Sequence, residues 1–330
     1  MSQSSMKNQT LFTQETNFEK VINHAAAALW ENREEGFATS RVDKTKLYWC
    51  KLTSAEHQKA VVVVNGRIES TWKYQELFYE LFMQGYDVYS FDHRGQGLSE
   101  RLIKDKEMGY VYDFNDYVED MSHLLKTFDL AHYDKKYLLA HSMGSTISTR
   151  YMQTYTNHIF DAACLVAPMY GVPMPVWLKP IAIPLTQIIT AFYPKTNYAP
   201  GYSRYQAKPF KGNLLSQSEL RYRWFRDLYE SKPELKVGGP SIRWVWQGLM
   251  AAKQCLQMAR HIQIPVQIIQ GKEDRIVSNK SQLAFFQRLQ KENSKAEFIA
   301  VEGAKHELMF EKDSCRNQVL NSLLTFFTKH

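Results

Sequence analysis

The chain holds 330 residues, 44% hydrophobic and 23% charged, with no low-complexity tract and no clear repeat. That length suffices for one large core with an insertion or for two domains, and the composition excludes a disordered chain. A net charge of +7 admits nucleic acid, an anionic membrane or an anionic substrate as partner.

Residues 1–14 are polar and lack the basic start and apolar run of a secretory signal, which points to a cytoplasmic protein. Over 18–33, Phe18, Val21, Ile22, Ala25, Ala26, Leu29 and Trp30 form one helical stripe that docks on the body. Lys46–Leu52 alternates as a strand. The run of valines over 61–64 ends in Asn65-Gly66, a buried strand stopped by a tight turn. A helix over 72–83 follows, then a strand over 86–91 closed by Asp92-His93-Arg94-Gly95-Gln96-Gly97, then a helix over 114–128. A strand beginning at Tyr137 runs through Ser142 into a helix over 145–155, and a short strand, 164–167, is closed by Pro168.

From 171 to about 240 the alternation stops. It resumes with a helix over 241–260, a strand over 266–270, a helix over 278–289, a strand over 297–301 and a helix over 314–327. Strands alternating with helices predict an α/β fold, a mostly parallel twisted sheet with helices on both faces and its active site at the carboxyl ends of the strands. The expected division is an N-terminal extension (1–40), a first core part (41–170), an inserted lid (171–240) over the strand ends, and a second core part (241–330). The apolar stretch 172–194 is broken by Pro175, Pro180, Pro184 and Lys179, so no spanning helix is expected, and surface attachment to a membrane stays open. Cys50, Cys164, Cys255 and Cys315 form no CxxC and no metal-ligand spacing; buried reduced thiols and no metal site are expected.

The sharpest signal is Ala140-His141-Ser142-Met143-Gly144, an apolar strand that ends on a serine between small residues and re-enters at once as a helix. This is the pattern of a nucleophile elbow, whose strained turn brings strand and helix too close for large side chains two positions either side of the serine. Position 140 is alanine where the pattern has glycine. A serine hydroxyl needs a base, and the base an orienting carboxylate. In this architecture they follow in the order serine, acid, histidine, each on a loop after a strand. Asp274, in Gly271-Lys272-Glu273-Asp274, and His306, after the strand 297–301, fit, with Glu273 a competent alternative acid. His141 reads as a packing residue or one that supports the reacting groups from behind, His93 as a residue that holds its turn by hydrogen bonds, and Asp92 precedes the serine and so falls out of order. The oxyanion needs two backbone N–H donors, one from Met143 at the helix start and one from Arg67 in the loop bent by Asn65-Gly66.

The elbow, the turn 92–99 and the late Asp274 and His306 resemble the α/β-hydrolase superfamily, monoacylglycerol-lipase-like branch. Gly66-Arg67-Ile68-Glu69-Ser70 with Lys73-Tyr74, Gly238-Gly239-Pro240 with Trp244, and His306-Glu307 followed by Phe310-Glu311-Lys312-Asp313 resemble, more specifically, the bacterial lysophospholipase L2 family. This likeness spans residues 30–330. It implies an α/β-hydrolase fold with a lid, no metal or organic cofactor, and cleavage of the single acyl ester of a lysophospholipid to a fatty acid and a glycerophosphodiester. A monoacylglycerol lipase or general carboxylesterase would share every catalytic residue. Where the wider branch has His-Gly in the oxyanion loop, this chain has Asn65-Gly66.

Between 171 and 250 there are 11 Lys and Arg against 4 Asp and Glu, and four of the seven tryptophans, Trp177, Trp224, Trp244 and Trp246, lie there beside Tyr193, Tyr198, Tyr202, Tyr205, Phe210, Tyr222 and Phe225. Apolar area suits an acyl chain, and arginine presents a fork that matches phosphate. Arg221, Arg223 and Arg226 are the candidate head-group residues, and the basic lid is a candidate contact for an anionic membrane surface. No nucleic-acid-binding motif accompanies the basic and aromatic clustering.

Overall fold

The segment Lys59–Val64 is covered on both faces: Val62 and Val64 enter one apolar cluster, Val61 and Val63 the opposite one. Side chains of a strand alternate in direction, so a run of β-branched residues without polar breaks requires cover on both sides. The computed structural model describes residues 12–175, 177–178, 180–192 and 197–330. Residues 1–11 of the expected N-terminal extension, and Lys179 and Tyr193 of the expected lid, lie outside the described residues.

Among the described residues one eight-stranded sheet is formed by β1 (Glu34–Thr39), β2 (Lys46–Leu52), β3 (Lys59–Val64), β4 (Tyr86–Phe91), β5 (Lys135–His141), β6 (Ala162–Val166), β7 (Val266–Gly271) and β8 (Glu297–Val301). Their spatial order is β1-β2-β4-β3-β5-β6-β7-β8. The β1–β2 and β2–β4 pairings are antiparallel and all others parallel. After β3 the chain adds β4 on one side and then crosses to lay β5 on the other, so the β3–β5 seam is the point where the winding reverses. In open sheets of this kind the crevice outside the carboxyl ends at that seam is where ligands bind.

The N-terminal helix comprises α1 (Phe18–Lys20) and α2 (Ala26–Glu31), joined by a π-helical turn, Val21–Ala25. The remaining helices are α3 (Gln75–Met83), α4 (Asn115–Thr127), α5 (Met143–Thr154), α6 (Ala182–Phe192), α7 (Glu219–Ser231), α8 (Ile242–Gln257), α9 (Asn279–Leu289) and α10 (Asp313–Lys329). Residues of α4, α5, α8 and α9 share the cluster of Val62 and Val64; those of α3 and α10, with Trp30 of α2, share that of Val61 and Val63. All four cysteines are buried and unpaired.

Two sequence expectations need correction. The strand β1 was not anticipated, because Glu34-Glu35-Gly36-Phe37-Ala38-Thr39 presents no buried face; its register comes from pairing with β2. The stretch from 171 to 240 is not irregular throughout, since it carries α6 and α7. Pro184 falls in the first turn of α6, where its missing N–H removes no helical bond, so a residue that reads as a breaker is tolerated. The Ser218 hydroxyl accepts from Arg221 N and caps α7.

Buried ion pairs fasten α7 to the body. Arg221 donates to Glu76 Oε1 at 2.9 Å and to Asp313 Oδ1 at 3.0 Å, while Arg316 donates to Glu80 Oε1 at 2.9 Å. Arg221, Arg316, Glu76 and Glu80 are all buried. Removing one partner of such a cluster strands the others without compensation. Arg221→Ala is therefore expected to lower the unfolding free energy by about 3–5 kcal/mol, read as a fall in melting temperature. Hydrolysis of a soluble ester well below the transition should be retained.

Candidate active site

The chain turns from β5 into α5 at Ser142, whose backbone lies at φ 51°, ψ −115°. A non-glycine residue with positive φ is strained, and the surroundings must hold it there. They do so from three sides. Ser142 N donates to Val166 O of β6 at 3.0 Å, and Met169 N donates to Ser142 O at 3.1 Å. Gly144 lies so close to β3 that a Cβ on it would stand 2.3 Å from the carbonyl oxygens of Val64 and Asn65. Ile68 (φ 65°) and Ala167 (φ 44°), in the loops after β3 and β6, are strained in the same sense, so the distortion gathers at one rim of the sheet.

The structure brings Ser142, Asp274 and His306 together. Ser142 Oγ lies 3.0 Å from His306 Nε2, and His306 Nδ1 lies 2.7 Å from Asp274 Oδ2. The other Asp274 oxygen accepts from the N–H groups of Ile276 and Val277, at 2.7 and 3.1 Å, which aims the carboxylate. All three are nearly closed to solvent, at 7%, 8% and 4% exposure in the order Ser142, Asp274, His306. Glu273 is exposed, and of the two carboxylates it is Asp274 that meets the histidine. The arrangement is that of a nucleophile, a general base and the carboxylate that orients it.

Among the described residues, the N–H groups of Met143 and Arg67 make no hydrogen bond. Met143 opens α5, so its N–H is one of the unpaired donors of a helix start, where the helix dipole also favours negative charge. Gly66 N, by contrast, donates to Glu69 Oε2 at 2.5 Å. The Arg67 guanidinium donates to Gly238 O at 3.1 Å and lies over the Trp244 ring; burial pushes its pKa down to about 10. Asn65 is turned inward, its amide donating to Phe91 O at 3.1 Å. His93 donates from Nε2 to Asn65 O at 2.9 Å, and burial pushes its pKa down to about 4, so it is a neutral ring holding the turn.

A buried polar cluster behind these loops was not anticipated as a unit. Glu69 accepts from Lys73 Nζ at 2.9 Å and Tyr74 OH at 2.6 Å, and Lys73 also donates to Glu307 Oε1 at 2.6 Å. His141 Nδ1 lies 3.0 Å from Glu69 Oε2. Burial works against the Glu69 charge, yet Lys73 and His141 hold its pKa well below the usual carboxylate range. Burial would likewise lower the His141 pKa, but Glu69 and Glu307 raise it. The i,i+4 spacing of Glu69 and Lys73 was the one signal in the sequence that could have paired them.

The three candidate head-group arginines are not brought together. Arg221 is buried in the ion pairs that hold α7, so it is unavailable to a phosphate, and its assignment as a head-group residue is corrected. Arg223 points outward and pairs with Glu219. Arg226 lies over the rings of Tyr222 and Phe225. With Lys208, Lys211 and Phe210, Arg223 and Arg226 line a cleft of about 410 Å³ that does not include Ser142, Asp274 or His306.

Residues 55–313 match the family described as Hydrolase_4: Serine aminopeptidase, S33. Lysophospholipase L2 of Escherichia coli (strain K12) is 35% identical over 333 residues, covering 97% of each chain. The probable lysophospholipase L2 of Haemophilus influenzae is 36% identical, over 82% of this chain and 83% of that protein. A soluble variant of monoglyceride lipase from Saccharomyces cerevisiae superposes with a TM-score of 0.69 at 21% identity, covering 90% of this chain and 96% of that one. A carboxyl esterase from Bacillus coagulans does so with a TM-score of 0.73 at 16% identity, covering 90% and 98%; likeness at such identities extends to the fold. Sheet order, elbow and matched residues agree: the chain belongs to the Hydrolase_4 (serine aminopeptidase, S33) family, hydrolases built on the α/β-hydrolase fold.

Proposed function

We propose that the protein is a serine esterase that cleaves the acyl ester of lysophospholipids. The observation that carries the reaction type is the line Ser142 Oγ, His306 Nε2, His306 Nδ1, Asp274 Oδ2, beside two unpaired N–H groups. The substrate class is drawn from the L2 lysophospholipases, which match almost the full length of the chain. His306 takes the Ser142 proton as Oγ attacks the ester carbonyl carbon, and the oxyanion settles between the N–H groups of Met143 and Arg67. His306 then gives that proton to the departing glycerol oxygen, leaving an acyl-enzyme. A water, deprotonated by His306, attacks the acyl carbon; the acyl–Oγ bond breaks, His306 returns the proton to Ser142 Oγ, and the fatty acid leaves. Another alcohol in place of that water would give transacylation.

The segment 171–240 serves in this reading as a lid whose outer face meets the membrane. Ile181, Leu185, Ile188 and Phe192 recur at helical spacing and are exposed, Phe192 to 77%, with Trp177 exposed to 71% just before them. The opposite side of α6 packs along α8. No helix of the described residues is long and apolar enough to cross a membrane; the contact proposed here is a peripheral one, with the cytoplasmic bilayer surface. Arg223 and Arg226, with Lys208 and Lys211, supply charge that an anionic lipid phosphate would meet.

Ser142→Ala should lower turnover of a lysophospholipid by about 10⁴-fold or more while circular dichroism and melting stay unchanged; ester hydrolysis near the wild-type rate would refute the mechanism. A panel comparing lysophosphatidylethanolamine with monoacylglycerol should favour the phospholipid, and the reverse order would move the assignment to a monoacylglycerol lipase. Ile188→Asp with Phe192→Asp should weaken binding to anionic vesicles by about tenfold or more, since each buried CH2 contributes about 0.8 kcal/mol. Hydrolysis of a short soluble ester should be unaffected by that pair, and unchanged vesicle binding would exclude α6 as the contact.

A further inference from the structure

His141 sits between the two loops that the reaction needs to act together. Its Nδ1 faces Glu69 Oε2 at 3.0 Å, and its Nε2 faces the backbone carbonyl of His306 at 3.2 Å. A peptide carbonyl has no proton to give. The Glu69 carboxylate already receives bonds from Gly66 N, Tyr74 OH and Lys73 Nζ and acts as an acceptor throughout. Both ring nitrogens of His141 must then donate, and an imidazole with two N–H groups carries a positive charge.

The charges around the ring fit the same state. The loop after β3 contributes Glu69 and Lys73, with the Tyr74 hydroxyl; the loop after β8 contributes Glu307; the His306 ring lies with its centroid 4.9 Å from that of His141, and Asp274 is engaged on its far side. Two carboxylates, Glu69 and Glu307, thus face a single lysine in a pocket closed to solvent. One more cation makes the group neutral, and His141 is the group in place to supply it. Without it the excess negative charge would stand behind the oxyanion donors, because Glu69 Oε2 lies 2.5 Å from Gly66 N, the residue before Arg67. A carboxylate left there would oppose the charge that the transition state develops.

We propose that His141 is a permanently charged positioning residue, which neutralises Glu69 behind the oxyanion loop and ties that loop to the backbone carbonyl of the general base. The proposal deepens the esterase reading and rests on Ser142 as nucleophile.

His141→Gln should slow both kcat on a short soluble ester and fluorophosphonate labelling of Ser142 by about tenfold or more, with KM little changed. The double variant Glu69→Gln/His141→Gln removes the stranded carboxylate while keeping an amide oxygen for Gly66 N, so it should label faster than His141→Gln alone. A double variant as slow as the single or slower, or a single variant as fast as the wild type, would overturn the proposal. Nitrogen-15 NMR of the histidine rings in the intact wild-type protein at neutral pH needs no variant to fold: two N–H groups on His141 support the assignment, and one overturns it. That spectrum is independent of turnover, so it separates failure of this proposal from failure of the esterase reading, which the Ser142→Ala rate decides.

Discussion

The contact on which the site depends is the one between Gly144 and the last turn of backbone in β3. Only a residue without a side chain lets α5 come down on the carbonyls of Val64 and Asn65. That approach in turn holds Ser142 in a conformation it would not adopt unaided. Three consequences follow from one close packing. The hydroxyl is lifted clear of the sheet, the unpaired N–H of Met143 is left beside it, and the loop carrying Arg67 is drawn to within reach of the same point. Because β3 and β5 are neighbours at the seam where the winding reverses, the loops that follow them lie side by side at that rim.

Asp274 and His306 reach this point from the other half of the sheet, on loops after β7 and β8, and buried charge packs against the second of these loops. The stretch from Glu69 to Glu80 contributes Glu69, Lys73, Glu76 and Glu80, all buried. The first two meet His141 and Glu307 under the reacting groups; the last two meet Arg221 and Arg316 at the base of α7. Burying ions gives little net stability compared with apolar packing, because desolvation offsets most of the attraction. Such clusters specify position instead, since their bonds are directional and a displaced member leaves a charge without a partner.

Much of this was legible in the sequence, for reasons that differ by element. The valines of β3 and the elbow after β5 were readable because burial on both faces and a strained turn each restrict composition severely. Asp274 and His306 were readable because chain order and strand ends limit the candidates. What escaped notice depends on partners far away in the chain. β1 is polar and exists through its pairing with Lys46–Leu52. Helix α6 hides behind a proline in its first turn. Arg221 looks like a surface arginine until Glu76 and Asp313 are seen around it, and Glu69, Lys73 and Glu307 stand in blocks that the sequence marks as distinctive without showing that they touch.

Arg67 serves two masters, and this restricts how the molecule can open. Its backbone N–H is the donor proposed for the oxyanion, while its guanidinium donates to the Gly238 carbonyl and lies over the Trp244 ring. On the esterase reading proposed above, swinging residues 238–240 outward would pull, through that guanidinium, on the same residue whose peptide is to hold the oxyanion.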